Sequence, residues 1–294
     1  MPSKQSAAVR GRWEASRLAM VQPGFDAPDD ESWGDLTAEP RGVDYLETEA
    51  AGLPAMWAVP KGASTDRVLM CIHGGGFMGG SIYTHRKVYG HLAKAAGMRA
   101  LLVSYRLLPE GVFPAPEDDV TNAYRWLLDQ GISAGRIAFA GDSVGGWLAV
   151  TVQLRARELG LPLPAAALLM SPCVDMETTG KSYETNQDSD PFFKRDVVRG
   201  IIRGFLGEDT DARDPRANPL YADLSGCGPL YIQAGETRRS PMTPGCCTST
   251  PRRPGSTRAW TSSLTCCTPS RWPRAGRRRP TTRSASWPAG YGPA

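Results

Sequence analysis

The sequence predicts an α/β protein with a mostly parallel central sheet. Two observations support this class: short, continuous apolar runs recur along the chain, and helical patterns lie between them. Runs this short and this apolar are typical of strands buried on both faces of a parallel sheet. The regular alternation of strand and helix is what places the chain in the α/β class. With 294 residues and 41% apolar content, the chain can form one large domain of this kind.

The predicted elements follow one another in this alternating order. A helix over 7–20 leads into a loop rich in Pro, Gly and Asp, and alternating polarity over 43–49 and 54–59 predicts paired edge strands. The buried strands are predicted at 67–72, 99–105, 136–140, 165–170 and 229–233, and the later helices at 88–96, 118–130, 145–159 and 190–206.

The composition changes abruptly at residue 236. Residues 1–235 carry 23 Lys+Arg against 29 Asp+Glu, a net charge of −6, whereas residues 236–294 carry 11 Arg against one acid, a net charge of +10. The second segment contains nine Pro, one Leu and no Val, Ile or Phe. Such a segment buries too little apolar surface to offset its chain entropy, so we expect it to be disordered. The overall charge of +4 therefore comes from this tail.

Three parts of the chain are predicted: an N-terminal arm at 1–40, a core at 41–235 with a helical insert near 185–215, and the aberrant tail at 236–294. No apolar run reaches 18 residues, so no membrane span is predicted. The polar residues 1–12 lack the apolar centre of a secretion signal, so we expect a cytoplasmic protein. The seven cysteines do not have the spacing of a metal or redox site, and no metal or cofactor is predicted.

The first motif with chemical meaning is Gly141-Asp142-Ser143-Val144-Gly145, which fits the pattern G-x-S-x-G. It lies directly after a predicted strand and directly before a predicted helix, which is the context that this motif requires. The glycines permit a sharp turn that exposes the serine hydroxyl, and the helix N-terminus favours developing negative charge nearby. We therefore predict that Ser143 is a nucleophile. The alternative is an ordinary glycine-rich strand–helix turn.

The second motif is His73-Gly74-Gly75-Gly76-Phe77, directly after the predicted strand at 67–72. Glycine lets backbone N–H groups approach a ligand closely. Such groups, aimed at a carbonyl oxygen together with the N–H that follows the serine, stabilise the oxyanion of a tetrahedral intermediate. The alternatives are a flexible loop and a phosphate cradle; the absence of a following G-K-[ST] argues against the cradle.

Three segments together resemble the bacterial hormone-sensitive-lipase family of α/β-hydrolase esterases. They are HGGGFMGGS at 73–81, YRLLPEGVFPAPEDDV at 105–120 and GDSVGG at 141–146. The resemblance covers roughly residues 40–235. It implies an α/β-hydrolase fold with helices on both faces of the sheet. It also implies that the N-terminal helix and the insert at 190–206 form a cap that shapes the acyl pocket.

The resemblance also assigns roles around Ser143. It implies that Gly74, Gly75 and Val144 donate to the oxyanion. His73 and Gly76 would then support the glycine loop, and His73 would lie outside the catalytic triad. The family has Ala where Val144 stands; the backbone donor survives this change, but the added methyl groups are expected to crowd the site.

A catalytic base and acid are missing from the sequence as written. The triad order in this fold is Ser, then Asp or Glu, then His, yet all three histidines, His73, His85 and His91, precede Ser143. Without a positioned base the serine is a weak nucleophile, and loss of a triad member lowers rates by about 10⁴–10⁶-fold. We expect His85 and His91 to be surface or helix histidines.

A change of reading frame explains both the tail and the missing residues. Read from the third base of each codon, Met242-Thr243 becomes Asp, and Cys267-Thr268 becomes His or Tyr. With permitted codons, the segment 265–280 can read M-L-H-T-F-Q-M-A-A-G-R-A-P-E-A, which resembles the family's segment that carries the catalytic histidine. The codon spanning Glu236-Thr237 becomes Asp or Asn, where the family's acid follows the last strand. The hypothesis is a one-base slip near Gly235, with loss of the final strand and helices.

The predicted function is hydrolysis of short-to-medium acyl esters or lactones, small-molecule substrates, through an acyl-serine intermediate, impaired in the chain as written. One alternative is a non-catalytic, ligand-binding homologue that has lost its triad naturally. Another is an Arg-rich tail that binds nucleic acid or an anionic surface; its arginines form no helical stripe, and no nucleic-acid partner is predicted. The oligomeric state stays open, with a homodimer as one option.

Overall fold

The computed structural model describes residues 7–12, 14–15, 31–186, 190 and 193–234. The strands are β1 (Val43–Ala50), β2 (Leu53–Pro60), β3 (Ser64–Ile72), β4 (Met98–Val103), β5 (Ile137–Asp142), β6 (Ala166–Met170) and β7 (Leu230–Gln233). The α-helices with assigned bounds are α1 (Ile82–Ala96), α2 (Ala115–Asp129), α3 (Val144–Glu158), α4 (Ser182–Thr185) and α5 (Arg195–Leu206). Short 3-10 helices span Glu31–Leu36 and Ala134–Arg136, and residues 7–12 and 14–15 are helical.

Within the described residues, seven strands form one sheet in the order β1-β2-β4-β3-β5-β6-β7. Strands β4, β3, β5, β6 and β7 run parallel to one another. Strand β2 is antiparallel to both β1 and β4. The β1–β2 hairpin turns at Ala51 and Gly52, whose φ angles of 53° and 79° match the two left-handed positions of a tight hairpin turn. The mostly parallel sheet predicted from sequence is confirmed. The predicted pair of strands is present, but only β1 lies at an edge, because β2 also pairs with β4.

The central strands are buried on both faces. In β3, the side chains of Val68, Met70 and Ile72 belong to one hydrophobic cluster, and those of Leu69 and Cys71 belong to another. Helices α2, α3 and α5 contribute to the first cluster, and α1 contributes to the second. This two-sided burial is the reason that the strand sequences are continuous apolar runs instead of alternating ones.

The predicted boundaries are accurate for most strands and less so for two helices. Helix α1 begins at Ile82 instead of residue 88, because Ser81 caps it by accepting hydrogen bonds from the N–H groups of Tyr83 and Thr84 at 3.1 Å. Helix α5 begins at Arg195 instead of residue 190, after an extended Lys194. The predicted disorder and frame change at 236–294 lie outside the described residues. No helix in the described part is long and apolar enough to cross a membrane.

Candidate active site

Ser143 lies at the apex of the turn between β5 and α3, as the motif predicts. Its backbone has φ 52° and ψ −120°, a combination that L-residues rarely adopt. The turn is fixed by its neighbours: Ser143 N–H donates to the Met170 carbonyl at 3.0 Å, and the Ser143 carbonyl accepts from Cys173 N–H at 2.9 Å. The strained conformation is therefore held by β6 and by the segment that follows it.

The glycines on either side of the serine are needed because backbone atoms come very close. A Cβ atom on Gly141 would collide with the carbonyl oxygen of Gly145. A Cβ atom on Gly145 would collide with the carbonyl oxygen of Ile72, at the end of β3. The second contact ties the serine turn directly to the strand that leads into the glycine loop.

The two motifs meet because their strands are neighbours. Ile72 in β3 pairs with Gly141 in β5, so the loop after β3 and the turn after β5 leave the sheet side by side. In the loop, Gly75 and Gly76 have φ values of 129° and 65°, which favour glycine. Among the described residues, the N–H groups of Gly75, Gly76 and Val144 have no backbone or side-chain acceptor.

The structure does not leave the N–H of Gly74 available. It donates to Oδ1 of Asp142 at 3.1 Å, so its predicted role as an oxyanion donor conflicts with a hydrogen bond inside the protein. A Cβ atom on Gly74 would also collide with the Asp142 carboxylate. The third glycine, Gly76, which was predicted only as a supporting residue, has an N–H without an acceptor among the described residues, as Gly75 does. Val144 is 2% exposed and packs into the core.

His73 is a buried, neutral part of the loop. Its ring stacks on Tyr105 with centroids 4.3 Å apart, and its Nδ1 lies 2.8 Å from the Gly74 carbonyl oxygen. Because a carbonyl only accepts, Nδ1 must carry the hydrogen. Burial lowers the pKa of His73 to about 4, and the neighbouring His85 adds to this effect. This environment agrees with the interpretation that His73 supports the loop and lies outside the triad.

His85, which the sequence suggested was a surface or helix histidine, lies on α1 next to the site. Its side chain is 16% exposed, and its Nε2 lies 3.4 Å from Oδ1 of Asp142. Burial opposes the charged imidazolium, but the Asp142 carboxylate outweighs burial and raises the pKa of His85. Sequence patterns gave no sign of this pair because 57 positions separate its members, and only the packing of α1 against the sheet brings them together.

Helix α5 packs directly on the glycine loop. The rings of Phe205 and Phe77 are stacked 3.6 Å apart and nearly parallel, and the Phe113 N–H donates to the Phe205 carbonyl at 2.8 Å. The side chain of Ile201 reaches the space above Gly76, where an added Cβ would lie 3.7 Å from its Cδ1. An apolar side chain therefore lies beside one of the free N–H groups.

His85 and His91 both have polar partners of their own. His91, the third histidine, is exposed on α1, and its Nε2 lies 2.9 Å from the Ala38 carbonyl oxygen. The Nδ1 of His85 lies 2.7 Å from Thr84 Oγ1, and its Nε2 faces Asp142, so both of its ring nitrogens have partners. Within the described part of the chain, no group of His, Cys, Asp and Glu side chains could hold a metal ion.

Comparisons with known proteins agree with this geometry. The family model described as alpha/beta hydrolase fold matches residues 69–239. An acetyl-hydrolase of Streptomyces hygroscopicus is 38% identical over 222 residues, which cover 75% of this chain and 72% of the relative. An esterase of Acinetobacter venetianus is 36% identical over 173 residues, which cover 59% of this chain and 57% of the relative.

Solved structures give the same result. The crystal structure of an esterase from the bacterial hormone-sensitive lipase family is 39% identical, with a TM-score of 0.73, and the match covers 80% of this chain and 79% of that one. Since the family model spans more than half of the chain, the assignment does not depend on one motif. The chain belongs to the α/β-hydrolase family and is, by family, a carboxylic ester hydrolase of the bacterial hormone-sensitive-lipase type.

Proposed function

We propose that this fold hydrolyses carboxylic esters through an acyl intermediate on Ser143. The observation that carries the proposal is the strained serine at the end of β5, beside a loop whose Gly75 and Gly76 N–H groups have no acceptor among the described residues. With the N–H of Val144, these groups form a set of donors suited to an oxyanion. We therefore assign the oxyanion hole to Gly75, Gly76 and Val144, with Gly74 as a support.

The proposed reaction has two steps. Ser143 Oγ bonds to the ester carbonyl carbon, its proton passes to a base, and the negative charge that develops on the carbonyl oxygen is held by the three N–H groups. The bond to the leaving oxygen then breaks, and the base returns the proton to the departing alcohol. In the second step, water gives its proton to the base and bonds to the acyl carbon, the acyl–Oγ bond breaks, and the base returns the proton to Oγ, which releases the carboxylic acid and the free serine.

The substrate class that we propose is short-to-medium acyl esters or lactones. Similarity to an acetyl-hydrolase supports a short acyl group. The side chains of Ile201 and Met78 beside Gly76 also support it, because they fill space next to the proposed oxyanion site. In this proposal, α5 forms part of a cap over the acyl pocket.

The base and acid of the triad are absent from the sequence as written, and we propose that a one-base slip near Gly235 removed them. Two observations support a slip at this point: the family match ends at residue 239, and the composition changes at residue 236. The genomic DNA around codon 235 tests this directly. A natural tail with no hydrolase-like peptide in either neighbouring frame would overturn it.

The enzymatic proposal is tested by a fluorophosphonate probe and by p-nitrophenyl butyrate hydrolysis. We expect a frame-restored protein to be labelled and active, its Ser143→Ala variant to be neither, and the present chain to be slower by about 10⁴-fold or more. Failure to label the restored protein would refute the role of Ser143. Equal activity of the frame-restored protein and the present chain would refute the proposal that the present chain lacks its triad.

A non-catalytic binding role is the second candidate, because no histidine follows Ser143 in the sequence. It predicts that an ester or its acid product binds this chain tightly and is released unchanged. Calorimetric titration with butyrate esters, followed by product analysis, separates this role from the catalytic one.

A further inference from the structure

The Asp142 carboxylate connects the serine turn to the glycine loop. Asp142 directly precedes the serine, and its Oδ1 accepts the Gly74 N–H at 3.1 Å. The Tyr89 hydroxyl lies 2.9 Å from the same oxygen and 2.7 Å from the Ile72 carbonyl oxygen, so its single hydrogen is shared between two acceptors. One carboxylate oxygen thus holds the first peptide of the loop against the turn.

Hydrogen-bond partners favour a charged His85. The Thr84 hydroxyl lies 2.9 Å from the Ser81 carbonyl oxygen, to which it can donate, and its oxygen then accepts from a His85 Nδ1 that carries a hydrogen, at 2.7 Å. The other ring nitrogen, Nε2, faces the Asp142 carboxylate at 3.4 Å. A lone pair on Nε2 would repel the carboxylate at this distance, so the contact favours the imidazolium form, in agreement with the raised pKa of His85.

Within the described part of the chain, the titratable side chains around this pair are neutral near pH 7. The side chains packed around His85 and Asp142 that can titrate are those of Cys71, His73, Tyr89 and Tyr105. The His73 ring lies 5.6 Å from His85, and burial keeps His73 neutral by lowering its pKa. Burial raises the pKa of both tyrosines and of Cys71, so these groups are also neutral near pH 7. The imidazolium is therefore the charge that balances Asp142.

We infer that His85 is a positioning residue, which acts through Asp142 to hold the Gly74 N–H and thereby the glycine loop against the serine turn. Loss of the imidazolium leaves a partly buried carboxylate without its cation, which destabilises the ionised form of Asp142 that accepts the Gly74 N–H. Only the catalytic role of the glycine loop rests on the proposed function. The link between His85 and Gly74 stands on contacts alone.

The link is tested by NMR on the full chain, which has three histidines. In the ¹⁵N-labelled protein, we expect His85 to titrate above the ordinary histidine pKa of about 6.5. The Gly74 amide should shift with the same midpoint. In Asp142→Asn, the His85 midpoint should fall, because the carboxylate that outweighs burial is then removed. In His85→Gln, the pH response of Gly74 should disappear, whereas the matched variant His91→Gln should keep it.

The parent chain and the Asp142→Asn variant can each overturn the inference. A Gly74 amide that does not respond at the His85 midpoint excludes the link, as does a His85 midpoint that stays the same in Asp142→Asn. This result is independent of the proposed function. Absence of fluorophosphonate labelling in a frame-restored protein, with the titration as expected, would refute the esterase role of Ser143 and leave the link intact.

Discussion

Two glycine-rich turns lie side by side at the carboxyl ends of β3 and β5, and they are stabilised in different ways. The serine turn at 141–146 is held mainly by backbone contacts with its own helix and with adjacent strands. The glycine loop at 73–80 is held by side chains from distant segments, including Asp142, Tyr105 and Phe205. The serine turn is thus fixed by close backbone contacts, whereas the loop depends on side-chain packing. Variants can therefore disturb one turn and spare the other.

The largest effect is expected at the serine turn itself. Gly145→Ala should destabilise the protein by about 4 kcal/mol or prevent folding, because its Cβ collides with the Ile72 carbonyl oxygen, which belongs to the sheet and cannot move away. Urea unfolding measures the change. Gly135→Ala is the matched control, since nothing lies within 4 Å of the added atom there. Equal stability of the two variants would contradict the idea that close backbone contact dictates this turn.

A slightly smaller loss of unfolding free energy is expected from a variant that disturbs the glycine loop and leaves the serine turn intact. Phe205→Ala removes the ring stacked on Phe77 and should cost about 3–4 kcal/mol of unfolding free energy. Hydrogen exchange should accelerate at Leu108, whose N–H donates to the Phe77 carbonyl, and should change little at Ser143. Tyr231→Ala, at a ring that is 66% exposed, serves as the control for loss of an aromatic side chain. Equal acceleration at both amides would mean that the turns are not independent.

Acid should also act on the loop, through His73. Its folded-state pKa of about 4 lies below the ordinary value of about 6.5, so between these values the unfolded chain binds a proton that the folded chain does not. The stability due to a neutral His73 is present above pH 6.5 and is lost as the pH falls to 4. The loss of stability in His73→Gln should therefore be smaller at pH 4 than at pH 7, by up to about 3 kcal/mol.

Urea unfolding at several pH values measures this difference, with His91→Gln as the matched substitution at an exposed histidine. The His91→Gln variant should follow the parent chain over the whole range. If His73→Gln also followed it, burial of a neutral His73 could not explain the acid sensitivity of the loop.

The smallest effect concerns a glycine outside both turns. Gly200 is exposed on α5, and an added Cβ meets nothing within 4 Å, so Gly200→Ala should stabilise the protein by up to about 1 kcal/mol through helix propensity. Gly207→Ala, at a φ of 72°, should instead be destabilising. Thermal unfolding compares the two. A loss of stability in Gly200→Ala would mean that this face of α5 has a contact outside the described residues.

Sequence reasoning succeeded where a pattern is local. The apolar run at 67–72 predicted a central strand, because burial on both faces requires apolar residues at every position. The serine turn was predicted because strand, G-x-S-x-G and helix are contiguous. The start of α1 was missed. Ser81 and Thr84 form a reciprocal cap there, and Ser81 belongs to the segment 73–81 that the sequence assigns to the glycine loop. The sequence predicted an oxyanion donor at Gly74, and a motif could not reveal that a carboxylate 68 positions away accepts its hydrogen.

By itself, the sequence determined the fold class, the position of Ser143 and the identity of the glycine loop, since these depend on residue periodicity and on glycines that backbone crowding demands. Only the tertiary structure decided which loop N–H groups are free, that His85 meets Asp142, and that α5 packs on the loop. Such contacts join residues far apart in the chain. Their distances follow from how helices pack on the sheet, and short-range patterns carry no information about that packing.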